Sequence, residues 1–194
     1  MTFTSLRRCT VTLLLAGLTG GAAAHTGHDA DSLFAGLAHP FAVDHLLAMV
    51  AVGVWSALAL QGARRWLGPL TFLSLMALGA VLAIGGFAMP ALEHAIAISV
   101  VLCGALLAFA KHVPAAPGLL AVAAIALLHG LAHGAELPTG ATASAYAGGF
   151  LAATAWLHLG GLGLGLALNS AAPKLWPTLG ALLGVAGMTL LMRA

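Results

Sequence analysis

A bundle of membrane-spanning α-helices is the fold that this sequence predicts, and three observations predict it. Of 194 residues, 61% are hydrophobic and only 6% charged, with a mean hydropathy of +1.06, too little polar surface to cover a water-soluble globule. Apolar runs long enough to cross about 30 Å of hydrocarbon recur along the chain, separated by short turn-rich links. Ala, Leu and Gly dominate those runs, and none alternates apolar and polar residues for ten positions, which favours helices over a β-barrel.

The chain opens with the three parts of a secretory signal: Arg7 and Arg8, an apolar run from Val11 to Leu18, and Ala22-Ala23-Ala24 before His25. The run is too short to span a bilayer, so cleavage after Ala24 is expected, with residues 1–24 as signal and 25–194 as one transmembrane domain. Cleavage removes Cys9 and leaves Cys103 alone in apolar sequence. No intramolecular disulfide or thiolate metal site is then possible.

Six apolar segments follow, near 35–60, 67–88, 90–110, 118–135, 142–168 and 175–192. Their links carry breakers such as Met89-Pro90, Val113-Pro114 and Leu137-Pro138-Thr139-Gly140, and Pro40, Pro90 and Pro177 stand where a helix begins, where a missing N–H does no harm. Arg64 and Arg65, Lys111 and Lys174 fall in alternate links, which the positive-inside rule places in the cytoplasm. The mature N-terminus then faces the periplasm of a bacterial inner membrane, and Arg193 is a mild exception on the outer side. No basic cluster suits nucleic acid, no phosphate-binding loop of the G-x-x-x-x-G-K-[ST] type occurs, and oligomeric state is not readable.

Against this background the ionisable residues stand out, because a charge at the bilayer centre costs roughly 2.5–3.5 kcal/mol or more and marks a functional site by default. His129, His133 and Glu136 lie at spacings of four and three residues, which puts two imidazoles and a carboxylate on one helical stripe. Asp44 and His45 stand one turn into the first segment. His39, before Pro40, lies at its mouth on a different stripe, so it joins them only if the chain curls there. Glu93 and His94 open the third segment, and the helix dipole alone would explain the former. His158, about sixteen residues into the fifth segment, lies ~24 Å along it and therefore deeper, where a packed core histidine is an equally simple account. His25, as a new N-terminus, would offer an α-amine and an imidazole together, with His28 close behind. Imidazole and carboxylate without thiolate suit a borderline divalent transition metal such as Ni, Co, Zn or Cu(II).

His39-x4-Asp44-His45 with Leu46-Leu47-Ala48-Met49-Val50-Ala51-Val52-Gly53, and Leu128-His129-Gly130-Leu131-Ala132-His133-Gly134-Ala135-Glu136, resemble the motifs of the HupE/UreJ family of nickel and cobalt permeases. Leu128 stands where that family has Phe. The four residues between His39 and Asp44 are one fewer than its usual five, and resemble the spacing of the related nickel–cobalt transporters. The resemblance spans the mature chain. It implies uptake of Ni²⁺ or Co²⁺ as substrate, not resident cofactor, for metalloenzymes such as hydrogenase, urease or those of cobalamin synthesis, with cytoplasmic metallochaperones as partners beside the lipid bilayer. Other classes have less support. A membrane haem protein would use paired axial histidines, whereas His129 and His133 are on adjacent turns of one helix. An intramembrane hydrolase would need H-E-x-x-H, which does not occur, and a purely structural subunit leaves the polar stripe unexplained. A membrane metal- or haem-binding protein without transport activity is the alternative reading.

Overall fold

The computed structural model describes residues 28–169 and 175–194, and its described residues are helical with no strand. The signal expected over 1–24, His25 and Lys174 lie outside them, as does the side chain of His28. Helix α1 runs His28–Ala38, and a 3₁₀ turn over His39–Phe41 leads into α2, Val43–Ala59. A second 3₁₀ turn, Gly62–Trp66, precedes α3, Leu67–Ile84. Then follow α4 (Leu92–Ala108), α5 (Ala115–Ala135), α6 (Ala143–Leu168) and α7 (Leu175–Leu191).

Three helical stretches, Gly62–Ile84, Ala115–Ala135 and Ala143–Ala167, are long and apolar enough to cross a membrane, and α1 with α2 passes as a fourth when the bent pair is taken together. The chain is therefore a multi-pass membrane protein. Helices α4 and α7, at 17 residues each, are apolar but shorter. Large apolar side chains such as Val81, Leu120, Trp156, Leu182 and Val185 point outward, as lipid rather than water would require.

Expectation and structure differ most in the first segment. It is not one helix opening near His39: α1 precedes it, and the two helices meet at 73° across the break. Pro40 cannot donate to a continuing ladder and favours extended geometry in the residue before it, and Ala42 leaves the helical region at ψ 141°. Ser32 Oγ accepts from the backbone N–H of Thr142 at 2.9 Å, tying α1 to the start of α6. Elsewhere the expected boundaries lie within a few residues. Pro69, Pro117 and Pro177 each occupy the third residue of a helix, where no intrahelical N–H bond is lost, whereas Pro90 lies two residues ahead of α4. Arg65 Nε donates to the carbonyl of Leu60 at 3.1 Å and so satisfies the end of α2.

Glycines set the helix spacing. A Cβ on Gly130 would lie within van der Waals overlap of the Met76 carbonyl, and one on Gly79 or Gly134 would strike the facing backbone, so α3 and α5 run parallel, backbone against backbone. Gly53 and Gly161 do the same for the parallel pair α2 and α6, and Gly104 and Gly180 for the antiparallel pair α4 and α7. Near the C-terminal end of α2, the fully buried Trp55 ring lies on Gly118 in the first turn of α5.

Gly130→Val should therefore wedge α3 from α5 and lower stability by about 1–3 kcal/mol or more. Gly160→Ala, which meets nothing within 4 Å, should be neutral or stabilising by up to about 1 kcal/mol. Thermal unfolding of the detergent-purified variants checks both.

Candidate metal centre

Close approach of the helices turns dispersed histidines into a cluster. Asp44 lies in the first turn of α2, where the helix dipole favours a carboxylate. Its Oδ1 accepts from the His45 backbone N–H at 2.9 Å and lies 3.0 Å from His45 Nδ1. A proton on Nδ1 shared with that carboxylate leaves the Nε2 lone pair of His45 free, the arrangement by which carboxylates orient metal-binding imidazoles. That Nε2 is buried and has no hydrogen-bond partner.

The break after α1 lets His39 reach the same place. Its Nε2 is 2.8 Å from Glu136 Oε2 at the end of α5, a contact that joins the bend to the next layer of the bundle. The bond with His39 holds the Glu136 carboxyl below its usual range, so this pairing contributes at neutral pH and is lost as pH falls through the lowered value. One turn back on α5, His133 lies 4.5 Å from His39 and 4.8 Å from His45 between ring centroids, and it stacks on Phe150 of α6 at 4.5 Å. His39, His45 and His133 can each offer one nitrogen such that all three lie within 4.8 Å of one another.

His129, a further turn along α5, is 4.8 Å from His45, and neither of its ring nitrogens has a partner; the same is true of His133. Both side chains are fully buried. An unsatisfied buried polar group costs about 1–3 kcal/mol, and native proteins leave few of them. Several neutral imidazole lone pairs converging on one point therefore suit a bound cation, which would supply the partner that each lacks.

The remaining candidates are placed differently. Glu93 and His94 are exposed and outside the cluster, although Glu93 lines a cavity of about 190 Å³ with Asp44 and Arg193. His158 is fully buried, its Nδ1 2.8 Å from the Thr154 carbonyl and its ring 4.8 Å from that of Phe72, which also faces His129 at 5.8 Å. Phe72, Tyr146 and Phe150, which wall the site, were not among the candidates. Their available signal was spacing, since Tyr146, Phe150, Thr154 and His158 recur at every fourth residue of α6. Cys103 is buried in α4 as expected of a core residue. A larger cavity of about 310 Å³ lies among apolar side chains including Val50, Leu107, Leu164 and Trp176, and gives a cation no oxygen or imidazole donor.

Comparison with known proteins bears on the same residues. The family described as HupE / UreJ protein matches residues 13–190, which takes in both histidine motifs. This chain belongs to the HupE/UreJ family. It is 43% identical over 187 residues to Protein HupE of Rhizobium leguminosarum bv. viciae, covering 95% of this chain and 97% of that relative. No solved structure matches it.

Replacing Asp44 by Asn keeps the shape but removes the charge that orients His45, and should weaken Ni²⁺ binding by about 10- to 100-fold. His94→Ala should leave it unchanged. Calorimetric titration of the purified protein with Ni²⁺ tests the pair.

Proposed function

We propose that this HupE/UreJ chain is a secondary permease of the bacterial inner membrane that admits Ni²⁺, or Co²⁺, from the periplasm for delivery to metalloenzymes. The observation that carries the reading is the convergence of His39, His45 and His133, with His129 adjoining, on one buried point flanked by two acids. The family motifs carried by those residues support it. In this reading the chain enters the membrane behind a signal cleaved after Ala24 and crosses it six times. The 17-residue helices α4 and α7 are two of the crossings, and the directions of the parallel and antiparallel pairs agree with alternate passes. His25 and His28 then lie on the periplasmic side as a first point of capture.

The chemistry follows from the donor set. A dication entering low dielectric needs both charge compensation and replacement of its water ligands. Glu93 and Asp44 on the outer cavity attract it, while Asp44 and Glu136 offset its charge. At an effective dielectric of about 20, one carboxylate 4 Å from a dication is worth roughly 8 kcal/mol, twice the value for a pair of unit charges. The imidazoles replace water without adding charge. Mixed nitrogen and oxygen ligands bind a borderline metal firmly enough to dehydrate it, yet less tightly than a closed thiolate cage, so the ion can be released. Neither nucleotide hydrolysis nor bond-breaking chemistry is required of the protein, so it acts as a carrier and not as an enzyme.

Radiolabelled Ni²⁺ uptake into cells, competed by Co²⁺, Zn²⁺ or Cu²⁺, is expected to be lost almost completely in His129→Ala and Asp44→Ala while membrane insertion stays normal. Wild-type uptake in either variant would overturn the reading. Reporter fusions after Arg65, Lys111 and Lys174 should all be cytoplasmic, and fusions after Pro90 and Gly140 periplasmic. A reversed pair would refute the six-pass arrangement.

A further inference from the structure

From the level of His129 inward the bundle carries a second set of donors that the outer cluster does not use. Helix α2 presents Met49 one turn after His45, and α3 presents Met76 one turn after Phe72. The two thioethers meet on α6: Met49 Sδ lies 3.2 Å and Met76 Sδ 3.8 Å from Thr154 Oγ1. One turn further along α6, His158 holds its Nδ1 2.8 Å from the Thr154 carbonyl, which directs the ring proton there and leaves Nε2 as an acceptor with no partner. Met49, Met76, Thr154 and His158 all have no exposed surface.

Packing alone does not account for this group. A buried helical serine or threonine ordinarily bonds to a carbonyl of its own preceding turn, as Ser56 does to Val52 and Ser99 to Ile96. Thr154 instead directs its hydroxyl to sulfur, which fixes two methionines from different helices at one level. Methionine is unbranched, with three rotatable side-chain bonds, so its sulfur can swing to a cation without backbone movement. A leucine would fill the same volume with no donor atom, and a fully buried imidazole lacking a partner for Nε2 adds nothing to an apolar core.

Resting on the permease reading, we infer that His158 Nε2 and the thioethers of Met49 and Met76 form a second, inner station for the transported dication, with the Phe72 ring neighbouring both His158 and the His129 imidazole of the outer cluster. The two stations differ in chemistry. The outer one offers nitrogen and charged oxygen, and the inner one offers one nitrogen and two neutral sulfurs. The imidazole suits Ni²⁺, and the soft thioethers reject hard Mg²⁺ and Ca²⁺. Having no carboxylate, the inner station also holds the ion more weakly than the outer one, which favours onward release.

The test uses the full chain in lipid nanodiscs, saturated with Ni²⁺ and examined by X-ray absorption, beside cellular uptake of radiolabelled Ni²⁺. Wild type should show a sulfur scattering shell together with nitrogen and oxygen. In Met49→Leu/Met76→Leu the sulfur shell should disappear, nitrogen and oxygen should remain, and uptake should fall at least roughly tenfold, with the same fall in His158→Gln. These replacements conserve volume, and elution as a monodisperse species with wild-type thermal stability excludes misfolding as the cause. A wild-type spectrum without sulfur, or undiminished uptake in the double variant, would overturn the inner station alone. Undiminished binding and uptake in His133→Ala would instead overturn the outer site on which it rests.

Discussion

Backbone contact between helices governs everything else in this molecule. Inside a bilayer there is no difference in apolarity between a neighbouring helix and a lipid tail, so association depends on how closely two backbones can lie. Gly79, Gly130 and Gly134 bring α3 onto α5, and Gly53 and Gly161 bring α2 onto α6, with main-chain atoms where side chains would otherwise stand. Only at that spacing does His45 of α2 come within 4.8 Å of both His129 and His133 of α5. Small residues therefore do more than tighten the bundle. They determine that imidazoles from separate helices share a point, which is the geometry on which the proposed cation path depends.

The second contribution comes from the interruption at Pro40. A straight helix through His39 and His45 would present the two rings on different sides, as their spacing predicts. The turn at His39–Phe41 and the 73° bend remove that conflict, and the ring of His39 lies 5.4 Å from that of His45. The contact between His39 and Glu136 then fastens the bend to the end of α5. One acid thus serves a structural and, in the proposed permease, an electrostatic purpose, while Asp44 orients His45 from the adjacent position.

Much of this was legible in the chain itself, and the limits were physical. The stripe of His129, His133 and Glu136 follows from helical periodicity, which is local, and hydrocarbon makes such residues conspicuous. The pairing of Asp44 with His45 was equally visible because it joins neighbours. Helix α1 was not, since Asp29, Asp31 and Ser32 make its start look like a polar lead, and its place depends on a bond from Thr142, 110 residues away. The same applies to Phe150 and Thr154. Nothing in α6 alone indicates that one will face an imidazole from α5 and the other two sulfurs from α2 and α3. Glu93 illustrates the reverse case, a residue legible as acidic and near the site but left at the rim of the cavity beside Asp44.

The indole of Trp55, pressed onto Gly118 with no side chain beneath it to yield, stoppers the end of the bundle remote from the outer histidines. In the proposed permease, an ion travelling inward along the bundle would meet this ring, and its onward journey would require the ring to tilt or the α5 backbone to slide from under it. Such a molecule would turn over in discrete strokes, at the pace of a carrier and not in the continuous current of a pore.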